Sequence, residues 1–373
     1  AIHTERGAPA QFEFYLSGPQ ILVALTPRLR PAEGYAIRLE TASIAKNPAL
    51  FSIGATFCSY GAKVRTPSQN SLNGHPESYA CKEAGEGGTE PANPEPLLTN
   101  PTHCSGTPPV TKLGIDSWEK PGAVGTAGSP DLSGPGWHVA EAVSPEVTRC
   151  DQVPFGPTIE FEPTTHRAES PTGLDVTLTV PTEGLETPGA IAQSDLKKAV
   201  VTLPQGMSVN PSSAQGLGAC TPEEISLGTN LPVECPDSSK IGSAEIETPL
   251  LEEPIGGSVY LAEQGHNPFG SLLALYLVAE STERGILVKI PGRVTPGPDG
   301  QLTAEFDDNP QVPFSALHLH FNSGPRAPLM TPPSCGTYGV RSALYPWANP
   351  DTAMESTDTF QVTEGSNGGA CPK

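Results

Sequence analysis

Positive charge is scarce in this chain of 373 residues, which sets 21 Lys and Arg against 41 Asp and Glu. The net charge of −20 repels polyphosphates and anionic lipid, so nucleic acid is not expected as a partner. No apolar run approaches the roughly 18 residues that cross a bilayer, which argues against membrane insertion. Charged residues make up only 17% of the chain, and no helical periodicity is sustained, so coiled coils and helical bundles are excluded. The short motifs of phosphate binding and hydrolysis are missing too: there is no G-x-S-x-G, H-E-x-x-H, Walker or G-x-G-x-x-G pattern. None of the cysteines lies in a C-x-x-C, and no paired Cys/His spacing of a zinc site occurs.

What the chain has in excess is Gly, 39 residues, and Pro, 43, together more than one residue in five. Pro removes an amide donor and fixes φ, so long helices and uninterrupted central strands cannot be common. Between these punctuating residues lie short runs of strand character, many with alternating polarity. Leu174-Asp175-Val176-Thr177-Leu178-Thr179-Val180 is one, and period two predicts a strand with one buried and one wet face. Similar runs are read at 11–15, 20–25, 36–40, 158–162, 199–203, 243–247, 258–261, 286–290, 302–306, 316–321, 339–345 and 359–362. Leu272–Ala279 is apolar nearly throughout, which predicts a central strand covered on both faces. Helix is expected only after Asn210-Pro211 and Thr221-Pro222-Glu223-Glu224. Each sets a capping side chain before a Pro, and each has room for about two turns. The fold class is therefore all-β, expected as two β-sandwich-like domains of Ig-like or Greek-key type, with long disulfide-closed loops and a few short helices. The stretches 82–96 and 122–136 lack periodicity and read as loops. A boundary near Cys150 divides the chain into 1–150, an N-terminal β domain with long Gly/Pro-rich loops, and 151–373, a C-terminal β-sandwich. The division is electrical as well: residues 1–150 carry 11 basic and 14 acidic side chains, and residues 151–373 carry 10 and 27.

Eight widely spaced cysteines in a loop-rich chain point to four disulfides made in an oxidising compartment. Roughly a hundred pairings are open in principle. The nearest-neighbour scheme is expected, Cys58–Cys81, Cys104–Cys150, Cys220–Cys235 and Cys335–Cys371, each closing a Gly/Pro-rich loop. The chain starts at Ala1 without a signal peptide, as a mature or excised form of a secreted precursor would.

The stretches Cys150-Asp151-Gln152-Val153-Pro154-Phe155, Ser170-Pro171-Thr172-Gly173-Leu174 and Asn210-Pro211 begin a set that carries a resemblance to a known family. It continues through Cys235-Pro236-Asp237-Ser238-Ser239-Lys240-Ile241-Gly242, Asn267-Pro268-Phe269-Gly270 and Phe306-Asp307-Asp308-Asn309-Pro310. It ends with Gly324-Pro325-Arg326-Ala327-Pro328 and Cys335-Gly336-Thr337-Tyr338. With Leu98–Cys104 and Asp116-Ser117-Trp118 it covers about three quarters of the chain. In these stretches the sequence resembles a family of large secreted surface proteins of soil actinobacteria that carry β-domains in tandem. The resemblance implies a secreted, multi-domain, all-β surface protein, and it brings no activity, cofactor or catalytic residue.

Candidate chemistry is sparse. His318 and His320, two apart in a strand-like run, put both imidazoles on one face, as two metal ligands or as part of a wet sheet surface. Asp307, Asp308 and Asn309 form an oxygen-rich cluster that supplies calcium-type ligands or an Asx turn. Otherwise no cofactor is expected. Glu160 with Glu162, and Glu245 with Glu247, share strand faces and are the carboxylate pairs a glycoside-active enzyme would need, though acidic pairs arise freely in so acidic a chain. Trp118, Trp137, Trp347 and Tyr345 are the candidates for a sugar-stacking platform, or for core packing. Phe12 and Phe14, then Ile21, Leu22, Val23 and Leu25, form either a hairpin or an assembly strand that completes a neighbouring subunit's sheet. The expected function is an extracellular structural or adhesive protein of the cell surface, the repeating subunit of a filament, pilus-like fibre or sheath joined through strand edges. Its partners would be further copies of itself or a cell-wall glycan. A carbohydrate-binding module and, behind it, a glycoside-active enzyme are the alternatives.

Overall fold

The computed structural model describes residues 7–16, 21–42, 44, 46, 100–125, 129–185, 187, 190–214, 216–297 and 299–371. The described chain is all-β. Its strands are β1 (Phe12–Leu16), β2 (Ile21–Arg30), β3 (Ala36–Glu40), β4 (Val110–Ile115), β5 (His138–Val143), β6 (Thr158–Pro163), β7 (Pro171–Thr172), β8 (Leu174–Thr179), β9 (Leu196–Thr202) and β10 (Ser208–Val209). They continue with β11 (Lys240–Glu247), β12 (Ile255–Leu261), β13 (Leu273–Ser281), β14 (Ile286–Pro296), β15 (Leu302–Phe306), β16 (Ala316–Phe321), β17 (Leu329–Met330), β18 (Gly336–Pro346) and β19 (Met354–Val362).

From β6 onward, all but three short strands join one eleven-stranded sheet in the order β19-β18-β9-β15-β14-β13-β12-β11-β16-β8-β6. The two layers expected of a sandwich are thus parts of a single sheet that curls over on itself. Alternation explains how it curls. In β8 the side chains of Leu174, Val176 and Leu178 are buried while Asp175 is wet, and in β6 Ile159 and Phe161 are buried between exposed Glu160 and Glu162. The buried sets of β6 and β8 pack against Leu196, Val340, Leu344, Phe360 and Val362 from the opposite end of the sheet, so one core lies between the ends. Beyond it, Ile241, Ala244, Val259 and Leu277 continue the interior under the middle strands.

The two edges of this sheet meet. Ten successive antiparallel pairings leave β6 and β19 running in the same direction, so any closing contact between them must be parallel. The isolated bridge that joins Arg167 to Glu364 is parallel. The same offset along the chain relates Phe161 to Asp358, whose Oδ2 accepts the Phe161 N–H at 2.7 Å. Further along, His166 O accepts from the N–H of Thr363, and Glu364 O accepts from that of Ala168. No ladder joins β6 to β19, and Asp358 ties the two edges together by a side-chain bond where a ladder bond is absent.

Strand β13 is covered on both faces, as its composition predicts. Leu275 and Leu277 face the interior, while Ala274, Tyr276 and Val278 face a crossover that runs from Cys220 to Cys235. That crossover contains the one α-helical turn described, α1 (Pro222–Ile225), with a complete capping box: Thr221 Oγ1 accepts the Glu224 N–H, and Glu224 Oε2 accepts the Thr221 N–H. The piece after Asn210 is a single 3-10 turn. Both pieces run one turn rather than the expected two. Ser226 takes a left-handed conformation, φ 49, immediately after α1 and ends it two residues before Gly228.

Three disulfides are formed among the described residues, Cys104–Cys150, Cys220–Cys235 and Cys335–Cys371, each between nearest neighbours as expected. Cys58 and Cys81 lie outside the described residues. No helix among the described residues is long and apolar enough to cross a membrane.

Strands β1, β2 and β3 form a separate three-stranded sheet, and β4 with β5 a two-stranded ribbon. The first docks on β14. Strand β15 pairs only with Gly292–Pro296, which leaves the first half of β14 without a strand on that side. Tyr35 takes the place of one: its hydroxyl donates to Lys289 O at 2.9 Å and accepts from the Lys289 N–H at 2.6 Å. Leu29 packs on Ile255, Ala279 and Ile286 beside it. Gly7 donates its N–H to Glu283 O, and Gly285, at φ 61, has no room for a Cβ against Gly7 O.

Candidate functional site

Lys289 is 3% exposed, an unusual fate for a lysine, and its environment explains it. Its Nζ donates to Ser226 O at 3.0 Å and Leu231 O at 2.7 Å, carbonyls of the disulfide-closed crossover. Ser226 caps the C-terminus of α1, and the ammonium shares its carbonyl with Thr229 Oγ1, which donates to it at 2.8 Å. Burial lowers the Lys289 pKa. This is a structural latch, which pins the crossover over β13 while the Lys289 backbone holds Tyr35.

Asparagines before prolines serve turns in the same way. Asn210 is buried, its Nδ2 donating to Ala327 O at 2.7 Å and Pro325 O at 3.2 Å. Asn267 closes its own loop, donating to Glu263 O and Ser271 O, both at 2.8 Å.

Asp307 and Asp308 hold a lysine. Lys197 Nζ lies 2.7 Å from Asp307 Oδ1 and 2.7 Å from Asp308 Oδ1, and Lys198 lies 2.5 Å from Glu305 Oε1. Partial burial opposes charge on Asp307, but its bonds to Lys197 outweigh it and keep the pKa below the usual carboxylate value. Asn309 completes the turn by donating its Nδ2 to Lys197 O. Trp347 joins this group: its Nε1 donates to Asn309 O at 3.0 Å, Lys197 Nζ lies 5.1 Å from its ring centre, and the His103 ring lies 5.1 Å away. Just before β9, the half-buried Asp195 has its carboxyl pushed up to about 6 by burial. The sequence offered no sign of that burial.

The other indoles are anchored apart. Trp137 donates to Ala123 O and packs on Gly122, where a Cβ would strike its ring, and Trp118 donates to Ile44 O with Lys46 5.2 Å from its ring centre. Tyr345 lies 5.7 Å from Lys198 Nζ. Each ring has its own structural partner, and no contact joins the indoles into one platform among the described residues.

His318 and His320 share the outer face of β16, as period two requires. His320 Nδ1 meets Asp175 on β8, and His318 lies 3.3 Å from Thr177 Oγ1 and 3.9 Å from Glu247 Oε1. Glu162 meets His166 at 3.2 Å, and Glu245 stands opposite His318 across the β11–β16 ladder. Glu160 pairs with Thr177 in the β6–β8 ladder. Each histidine thus has its own polar neighbours. No group of three or more His, Cys, Asp or Glu among the described residues could hold a metal ion.

The candidate assembly strand is a hairpin. Phe12 pairs with Leu25, Phe14 with Val23, Tyr15 with Leu22 and Leu16 with Ile21, and Val23 is buried.

The N-terminal sheets differ from the closed sheet in what they leave uncovered. Ile37 and Leu39 on β3, and Val110, Leu113, Ile115, Val139 and Val143 on β4 and β5, are each more than 40% exposed. The ribbon has no third strand among the described residues. Between β3, the ribbon and residues 228–230 lies a cleft of about 660 Å³. Its basic groups are already paired, Arg30 with Glu33, Arg38 with Glu40 at 3.0 Å and Lys112 with Glu141 at 3.3 Å, while Asp131 accepts from Ser133, so no unopposed cation lines the cleft among the described residues. No family model, curated protein or solved structure matches the chain.

Proposed function

We propose that this chain is a secreted structural or adhesive component of an extracellular surface, which joins to copies of itself through strand edges. The observation that carries this reading is the contrast between its parts. The two edges of the large sheet are tied to each other at Asp358, and the sheet is clamped by disulfides. Among the described residues, the small β4–β5 ribbon has no strand on either edge, and it exposes valine, leucine and isoleucine. Proteins normally blunt such edges, because an unpaired apolar edge templates strand addition. Three disulfides suit an oxidising compartment outside the cell. The candidate ion-binding side chains His318, His320, Asp307 and Asp308 each have a polar partner within the fold, which favours a mechanical role for them. Sedimentation velocity of the purified chain over a wide concentration range tests the reading: growing oligomers support it, and a constant monomer refutes it.

A further inference from the structure

The ribbon specifies more than stickiness. Ser144 donates its N–H to Pro109 O at 2.9 Å, which places the 109/144 pair on the hydrogen-bonded phase of the β4–β5 ladder. Hydrogen-bonded and non-bonded pairs alternate along an antiparallel ladder. The register pairs Thr111 with Ala142, Leu113 with Ala140 and Ile115 with His138, and these therefore turn their amides toward each other inside the ribbon. Val110, Lys112 and Gly114 turn theirs to the free edge of β4, and Val139, Glu141 and Val143 turn theirs to the free edge of β5.

The geometry points to a second copy of this chain as the occupant of these edges, joined head to tail with its β5 laid antiparallel along β4. This rests on the self-assembly reading above and names its contact. In the register that sets Lys112 opposite the next copy's Glu141, Val110 meets Val143 and Gly114 meets Val139. These are the same opposing residues as within the chain, now as hydrogen-bonded pairs. Each Lys112 then lies between two glutamates, and each Glu141 between two lysines. The symmetric alternatives are frustrated: antiparallel pairing of the edge-facing residues 110, 112 and 114 of two β4 strands centres on Lys112 against Lys112, and pairing 139, 141 and 143 of two β5 strands centres on Glu141 against Glu141. Charge also selects the part of the chain that can meet a copy of itself. Residues 151–373 carry 27 acidic and 10 basic side chains and repel each other, whereas residues 1–150 are nearly balanced. Head-to-tail contacts of this kind generate open filaments rather than closed dimers.

Charge reversal on the full chain tests the contact, read by sedimentation velocity and negative-stain microscopy. Lys112→Glu alone and Glu141→Lys alone should each raise the concentration at which oligomers appear about tenfold. An equimolar mixture of the two single variants should restore assembly, because each edge then meets its complement on the other variant. The double variant, Lys112→Glu with Glu141→Lys, should assemble like the wild type, and this also controls for loss of the pair inside the ribbon. Two outcomes overturn the proposal and leave self-assembly standing. One is that both single variants assemble like the wild type. The other is that the double variant recovers while the mixture does not, which would mean the pair matters only within one chain. A wild-type chain that stays monomeric overturns both this contact and the reading beneath it.

Discussion

Asp195→Asn should stabilise the protein at neutral pH and leave it unchanged in acid. Burial raises the Asp195 pKa from 3.8 to about 6, and no neighbouring cation contributes to the shift. The folded chain therefore binds a proton more tightly than the unfolded chain does. Between about pH 4 and 6 the folded state holds the extra proton, so stability falls as pH rises through that window. Above it, the folded state carries an ionised carboxylate that burial disfavours. At about 1.4 kcal/mol for each tenfold difference in proton affinity, the full penalty is about 3 kcal/mol, reduced to about 1.5–3 kcal/mol by the solvent that reaches this half-buried group. The amide of asparagine carries no such cost. Urea unfolding at pH 7.5 should show the variant more stable by that amount, and the two proteins should agree within about 0.5 kcal/mol near pH 4. A difference that is the same at both pH values, or a variant less stable at pH 7.5, would show that Asp195 is not held in a disfavoured charged state.

The closing of the sheet makes a second expectation. Asp358→Ala strips the Phe161 N–H of its acceptor and should cost about 1.5–3 kcal/mol, whereas Asp358→Asn, which keeps an acceptor, should cost less than half of that; equal losses would argue against the bond. Lys289→Met leaves Leu231 O without its donor and Ser226 O with Thr229 Oγ1 alone, and a loss of about 1–3 kcal/mol in denaturant titration is expected, with earlier proteolysis between Cys220 and Cys235. Replacing both Cys220 and Cys235 by Ser should cost about 3 kcal/mol and raise amide exchange in β13, whose outer face that crossover covers. Slow exchange in β13 after the disulfide is lost would mean that Lys289 alone holds the crossover down.

Much of this architecture was legible because alternation survives in the sequence. Thr158–Glu162, Leu174–Thr179 and Ala316–Phe321 form strands where period two places them, and the apolar run at 272–279 forms the strand buried on both sides. The ribbon was not legible. Val110-Thr111-Lys112-Leu113-Gly114-Ile115 and His138-Val139-Ala140-Glu141-Ala142-Val143 are exposed on both faces, so no burial disciplines their pattern, and Gly114 and the alanines weaken the strand signal further. The latch was hidden for another reason. A lysine within Ile286–Ile290 reads as the wet side of a strand, and the carbonyls that bury it come from a crossover about 60 residues earlier in the chain. Asp307 and Asp308 read as an oxygen cluster because Lys197, which they hold, sits more than a hundred residues upstream. Nearest-neighbour cysteine pairing was readable because each pair closes a local loop, and local loops cost the least chain entropy to close.

In the proposed assembly, a disulfide-clamped sheet carries a two-stranded ribbon through which copies join. Negative-stain microscopy of the wild-type chain at rising concentration addresses it most directly. Joining through the ribbon gives linear particles that lengthen with concentration and shorten when Lys112 is reversed to Glu. Uniform single particles at every concentration would contradict it.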